Sequence, residues 1–361
     1  MELAKCRNCL ITDKVPGVQI GSNGVCNLCV DHTAGTSRAD DTGRAEREAD
    51  LERTLAEVKG DGEYDCLVPL SGGKDSVYLL YKLKSQYPHL RVLAYTTDVN
   101  IPDIAWHNIR TTTEKLDIDH LVFRPPESFY RKAFRYILRH QEERGAVYSV
   151  SYVYAPLFEG DAIKVAVEKG IPLILAGYSP GQPEPERMLY EFSRELIETV
   201  EWTPPEMKAC GEFSEDELLR FFDPAHYPAG TRFPRYLAPY HAWPYDQDEI
   251  MKEVVRLGLV KSSKHASPIF SNYPINWLLM YSDLKHFGYN PYLPEFAALI
   301  REGKASLAQW KILGPLVDFM ISHKILLGAE VRRSMKWLEL DEDQLAVNRP
   351  RGAYDPPILS R

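Results

Sequence analysis

Ser71-Gly72-Gly73-Lys74-Asp75-Ser76 directly follows the apolar run Cys66-Leu67-Val68-Pro69-Leu70 and directly precedes Val77-Tyr78-Leu79-Leu80-Tyr81. The order reads as a buried strand, a tight turn and a helix N-terminus. Such a turn presents free backbone N–H groups and the positive end of a helix dipole, which together favour a phosphate. Gly72 and Gly73 let the backbone come close to an anion. Ser71 and Ser76 add hydroxyls, and Lys74 adds a positive charge. Asp75 repels a bare phosphate, so its expected role runs through a Mg²⁺ ion. The spacing is not the G-x-x-x-x-G-K-[ST] of a Walker loop. A Ser/Gly turn that merely caps a helix is the plain alternative.

Working outward from this turn, strands and helices alternate. Leu90–Thr96, His120–Phe123 and Ile171–Gly177 read as further strands. Val77–Lys84, Ile104–Lys115, Glu127–Arg144 and Leu157–Lys169 read as helices. This alternation predicts an α/β fold with a doubly wound parallel sheet, whose ligands sit beyond the strand C-termini. Three strand ends then converge: Ser71–Ser76, Thr97–Asn100, which includes Asp98, and Gly177–Gln182. Gln182 and Glu184, just past the fourth strand, are the expected substrate contacts. From Pro183 onward the chain reads as mostly helical, with helices expected over Met188–Val200, Ser214–Phe222, Gln247–Leu257, Pro274–His286 and Pro294–Glu302. Phe233–Trp243, dense in Pro and aromatic residues, reads as an ordered loop that either lines a pocket or packs a helical subdomain.

Four of the six cysteines form two C-x-x-C pairs, Cys6/Cys9 and Cys26/Cys29. That spacing suits a four-thiolate Zn²⁺ site. Two disulfides, an iron–sulfur site and a redox pair are the alternatives. Disulfides are disfavoured in a cytoplasmic protein, and the opening Met1-Glu2-Leu3-Ala4-Lys5-Cys6 has no signal-peptide character, so a cytoplasmic location is expected. No run of 18 uninterrupted apolar residues occurs, and no membrane span is expected. The chain has 361 residues and a net charge of −8, which gives no overall basic field for nucleic acid. Cys66, inside the first strand, reads as a core residue, and the solitary Cys210 as a bystander thiol.

The stretch Ser71–Ser76 resembles the S-G-G-x-D-S signature of the PP-loop ATP pyrophosphatases, which resemble one another in an adenine nucleotide alpha hydrolase-like fold. Over most of the chain the order of features is similar to that of the N-acetyl sugar amidotransferases of surface-polysaccharide biosynthesis. The similarity lies in Cys6-Arg7-Asn8-Cys9 with Asn23–Cys29, in Ser71–Ser76, in Asp98 with the Asn108-Ile109 helix, and in Lys169–Leu173 followed by Gly177. It implies a zinc ribbon at 1–32, a linker and amphipathic helix at 33–59, an ATP pyrophosphatase domain at 60–182 and a mostly helical substrate or partner region at 183–361. It further implies that ATP binds Ser71, Gly72, Gly73, Lys74, Asp75, Ser76, Asp98 and Gly177, with Lys74 and Asp75 catalytic. A carbonyl or carboxylate oxygen of a small molecule would be adenylated with release of pyrophosphate, and nitrogen transferred to the activated carbon. The chain shows no glutaminase domain of its own, so a separate ammonia-supplying subunit is the expected partner. A homo-oligomer is also compatible. ATP-dependent sulfur transfer, with a sulfur donor in place of ammonia, is the rival enzymatic reading. An ATP-binding regulatory or docking protein is the non-enzymatic one.

Overall fold

The computed structural model describes residues 4–33, 39–179, 190–267, 273–303 and 305–350. Its first strands are β1 (Cys66–Pro69), β2 (Val92–Thr97) and β3 (Asp119–Phe123). Next along the chain come β4 (Gln141–Glu142), β5 (Leu173–Leu175), β6 (Glu191–Phe192), β7 (Arg235–Leu237) and β8 (Val347–Arg349). The main sheet runs β3-β2-β1-β5-β7-β6. All its neighbours are parallel except β6, which lies antiparallel on the β7 edge.

Alternate residues along the central strands enter different cores, as a strand buried on both faces requires. Val68, Ala94 and Leu175 pack on one side with Leu79, Leu80, Ile109 and Val254. Leu67, Leu93 and Ile174 pack on the other with Ile163, Ala166, Trp202 and Phe222. A third core belongs to the helical half, where Leu278, Ile321, Val331 and Leu338 meet Ile137 and Val147. A fourth joins the cysteine module to the helix Leu293–Arg301.

Strand order reverses direction at β1: the chain builds outward through β2 and β3, then returns to place β5 on the other side of β1. A crevice opens at such a switch point, and the turn after β1 lies at it.

The sequence expectations need several corrections. The helix expected from Val77 begins at Lys74 and runs to Gln86, so Lys74, Asp75 and Ser76 form its first turn. The helix expected over Glu127–Arg144 ends at Arg139, because the chain then pairs as β4 with β8, some two hundred residues later. The helix expected from Leu157 starts at Ala146 and passes through Pro156 to Glu168. Of the expected Met188–Val200 helix, Met188 and Leu189 lie outside the described residues, 191–192 is strand, and Arg194–Thr199 is helical. The expected loop Phe233–Trp243 contains β7, so the sheet extends past residue 182. Helices Leu307–His323 and Ala329–Leu338 were not expected.

Those last two helices lie in the one stretch among the described residues, Leu307–Leu338, that is long and apolar enough to cross a membrane by length and composition. The turn Leu326–Gly328 divides it. Its Met320, Ile321, Val331 and Leu338 are buried, while Ile312, Leu316 and Phe319 are 71%, 48% and 50% exposed on the outer side.

Asp283 ties the helical half to the main domain. Its carboxylate accepts the backbone N–H of Ala146 and of Val147 (3.1 Å), capping the helix Ala146–Glu168 from a distant segment. Burial pushes this carboxyl up to about 7, although the two N–H donors pull the other way. The folded state thus keeps a proton that the unfolded chain releases near pH ~4. That contribution to stability is full below the unfolded value and is lost as pH rises through 7. Asp283→Ala is expected to cost about 2–3 kcal/mol at pH 5, through two orphaned buried N–H groups, and less at pH 8. Urea unfolding at the two pH values measures this.

Candidate nucleotide site and cysteine module

The turn Leu70–Gly73 holds its shape by close backbone packing. Gly72 has φ +77°, and a Cβ there would lie 2.4 Å from the Ala105 carbonyl oxygen. Asn108, fully buried on the same Asp103–Leu116 helix, donates from Nδ2 to the Gly72 carbonyl and to the His265 carbonyl, each at 2.9 Å. From the other side, the chain leaving β5 presses on the first helical turn. A Cβ on Gly177 would lie 2.9 Å from the Ser76 nitrogen and 3.1 Å from the Asp75 carbonyl carbon. Gly177 is therefore a spacer that lets two backbones meet.

The helix start at Gly73 has no side-chain cap hydrogen bond, and the Gly73 amide donates to Ser71 Oγ at 3.3 Å. Ser71 Oγ and Ser76 Oγ lie 3.3 Å apart, and Ser76 Oγ donates to the Gly73 carbonyl at 3.1 Å. Lys74 is buried, and its Nζ donates to Asp75 Oδ2 at 2.6 Å and to the Tyr245 hydroxyl at 3.2 Å. The Tyr245 hydroxyl donates in turn to Asp75 Oδ1 at 3.0 Å. Tyr240, buried below, donates to the Asp75 carbonyl at 2.7 Å. Burial draws the Lys74 ammonium down, but Asp75 and Tyr245 outweigh it and leave it above its usual value. Lys74 is thus a buried, permanent cation at a helix N-terminus, neutralised by the next residue.

Asp98 lies just past β2, buried, with its carboxylate paired to Arg124. Gln182 and Glu184 lie outside the described residues. Two groups that sequence reasoning did not assign join the site: Tyr240 from the aromatic segment, and Tyr245 two residues past its end. Burial pushes the Glu295 carboxyl up to about 7; Lys74 opposes that shift and Asp75 adds to it, so both charges act on it. The Phe233–Trp243 stretch announced itself by aromatic density. Arg235, from the same stretch, is held by Asp50 and Glu191. A cavity of about 700 Å³ lined by Trp202, Phe222 and Tyr227 belongs to the other side of the sheet and includes none of the turn residues.

The cysteine module, 4–33, brings all four thiols together, buried, with their sulfurs within 4.8 Å of one another. Cys6 and Cys29 Sγ are 3.8 Å apart, and Cys9 and Cys26 Sγ 3.7 Å. These separations far exceed a disulfide bond of about 2.05 Å. They match the edge of about 3.8 Å in a tetrahedron of sulfurs about 2.3 Å from one central ion. The Cys26 amide donates to Cys6 Sγ at 3.3 Å. Burial resists ionisation of Cys6, but this and neighbouring amides prevail and bring its thiol to about 7. Burial pushes Cys29 and Cys26 up instead. The donor set therefore fits one thiophilic ion. Cys66 is fully buried in β1, and the half-buried Cys210 donates to the Met207 carbonyl at 3.4 Å, in the helical half.

No protein-family model matches the chain, and no curated protein does. Among the solved structures similar to it are the following three. The U34-tRNA thiolase NcsA from Methanococcus maripaludis, with its 4Fe-4S cluster, is 15% identical over 95% of this chain and 90% of that one, with a TM-score of 0.36. The NH3-dependent NAD synthetase from Campylobacter jejuni, in complex with nitrate, is 13% identical over 84% and 98%, with a TM-score of 0.34. The NMN synthetase from Francisella tularensis is 10% identical over 84% and 97%, with a TM-score of 0.33.

The close approach at Gly72 makes it the most sensitive position of the turn. Gly72→Ala adds a Cβ against Ala105 to a left-handed conformation that itself costs about 1–2 kcal/mol for other residues. The expected result is a loss of at least about 2 kcal/mol of stability, read by thermal unfolding, with anion binding at the turn weakened alongside.

Proposed function

We propose that the protein is an AMP-forming, ATP-dependent enzyme that adenylates a carbonyl or carboxylate oxygen of a small molecule and then transfers nitrogen to the activated carbon. The observation that carries this reading is the buried Lys74–Asp75 pair in the first turn of a helix at the switch point of a parallel sheet. A free helix N-terminus with a buried lysine is built for phosphate. An adjacent carboxylate supplies a place for the cation that accompanies it.

In this scheme the Ser71–Ser76 turn cradles the ATP phosphates. Asp75 would hold Mg²⁺, which offsets phosphate charge when bound. Phosphate oxygens and a cation together replace the partners that Lys74 and Asp75 now find in each other. Lys74, released from Asp75, turns to the β-phosphate and stabilises the charge that develops on departing pyrophosphate. The substrate oxygen attacks the α-phosphorus, the α–β bridging bond breaks, and pyrophosphate carries off the electron pair. Ammonia then attacks the adenylated carbon, AMP leaves with the bonding electrons, and a proton passes to solvent. Asp98 and the glycine at 177 border the adenosine side, and Gln182 and Glu184 remain the proposed substrate contacts. The four cysteines would hold a structural Zn²⁺, and the ammonia would come from a separate subunit or from solution. The similarity to the sugar amidotransferases supports a sugar or related metabolite as substrate.

Two measurements test this. Pyrophosphate release is expected with ATP and substrate and is expected to vanish in Asp75→Asn, whose amide oxygen still accepts from Lys74 so that the fold persists. A product search with isotopically labelled ammonia, glutamine and sulfide as competing donors is expected to find labelled nitrogen. Sulfur in the product would replace nitrogen transfer by thiolation, and ATP binding without turnover would favour a regulatory protein. Metal analysis of the purified chain is expected to give about one zinc per chain; its absence under reducing conditions would remove the ion from the module.

A further inference from the structure

The helix Leu307–His323 is apolar on two opposite sides. On its inner side Val317 and Ile321 pack into the core of the helical half, and Trp310 stacks on Phe296 with ring centres 3.8 Å apart. At about 100° per residue, the opposite side is an arc of about 100° through Ala308, Ile312, Pro315, Leu316, Phe319 and His323. All six are exposed, and none carries a carboxylate, ammonium or guanidinium. An amphipathic helix turns such a stripe to a core; here it faces outward. In the turn that follows, Leu326 is exposed with φ +51°, a left-handed conformation that is strained for a residue with a Cβ. No burial within the chain offsets that strain.

Charge decides between a lipid surface and a protein partner. Lys324, directly after the helix, is paired with Glu342, and Lys285 Nζ donates to the Glu342 carbonyl at 2.7 Å. Glu342 is flanked by Asp341 and Asp343, and all three are exposed. Anionic headgroups would meet those carboxylates, whereas the rim of a protein interface accommodates both signs.

We propose that this stripe is a dimer seam, which takes the same helix of a second copy of the chain, antiparallel, about a two-fold axis between Pro315 and Leu316. A two-fold interface must be complementary to itself. The steps between the six residues are four, three, one, three and four, the same in either direction. Ile312 thus meets the partner's Phe319, Pro315 the partner's Leu316, and Ala308 the partner's His323, small against large. At the edges Gln309 meets the partner's Ser322, polar against polar. The opposed helix dipoles lie head to tail. Leu313 beside the arc and Leu326 beyond its end extend the apolar surface. With Ile312, Leu316 and Phe319 they are between 36% and 77% exposed. At roughly 150–200 Å² per large apolar residue, these five leave on the order of 500 Å² open. Two copies together bury about 1,000 Å² before the rim is counted, the size at which specific interfaces begin. The seam stands independently of the ATP reading.

The test is sedimentation equilibrium of the full-length protein, native and with Ile312→Glu or Phe319→Lys. Both side chains are exposed, so thermal unfolding is expected to find each variant folded. The native chain is expected to dimerise with a dissociation constant in the micromolar range or tighter, and each variant alone at least about thirtyfold more weakly. An equimolar mixture of the two variants is expected to form heterodimers at least about tenfold tighter than either variant alone. The antiparallel register sets the new carboxylate of one chain against the new ammonium of the other and leaves the second Ile312–Phe319 contact native. A native chain that stays monomeric at about 100 µM overturns the proposal. Dimers undiminished in both variants, or a mixture no tighter than its parts, overturn it as well. Amide exchange needs no variant: from dilute to concentrated native protein it is expected to slow over Leu307–His323, and slowing confined to other segments would place the interface elsewhere and overturn the seam. Flotation of a monomeric native chain with phosphatidylserine vesicles, lost in both variants, would replace the second copy by lipid.

Discussion

The absence of a side chain at two glycines sets the rest of this molecule. At Gly72 and Gly177 the backbone of the turn approaches the Ala105 carbonyl on one side and the chain after β5 on the other, within distances that no Cβ would allow. The first turn of the Lys74–Gln86 helix is thereby wedged into the crevice where strand order reverses. A lysine placed there is forced inside, and it can remain charged only because Asp75 is the next residue and Tyr245 sits within hydrogen-bond reach. The ion pair is thus a consequence of backbone packing as much as of side-chain choice.

The second half of the chain completes this centre. β7 enters the sheet beside β5, and the segment after it brings Tyr240 beneath the Asp75 carbonyl and Tyr245 onto its carboxylate. The Leu293–Arg301 helix packs its Leu293, Ala297 and Ile300 against the cysteine module. Asp283 caps a helix that begins more than a hundred residues earlier. A boundary drawn near residue 182 therefore separates sequence patterns, while the contacts run across it.

Much of the sheet was legible because both-face burial gives apolar runs: Cys66–Leu70, Leu90–Thr96 and Ile171–Gly177 each stand out between polar turns. The turn was legible because Ser, Gly, Lys and Asp in that order have few other uses after a strand. The four cysteines were legible from spacing, and the structure brings their sulfurs together. β7 was not, since a strand of three residues set between Pro234 and Pro239 is too short to show a period. β4 and β8 were hidden for another reason: each is two or three residues long and exists only by pairing with the other. Tyr245 escaped because its meaning depends on which distant element it faces, and local pattern carries no record of that.

The pairing of β4 with β8 has a consequence for how the chain is made. Gln141 and Glu142 find their partners at Val347–Arg349, which leave the ribosome some two hundred residues later. The early strands can collapse around their own helices during synthesis, but this seam and the cap at Asp283 wait until those distant segments emerge. Contacts of such long sequence separation form slowly, since a large loop must close before they repay it. A nascent chain would therefore carry a formed phosphate turn for some time before the half that finishes its surroundings arrives. Over that interval its unpaired helical cores are the part of the molecule most in need of protection from aggregation.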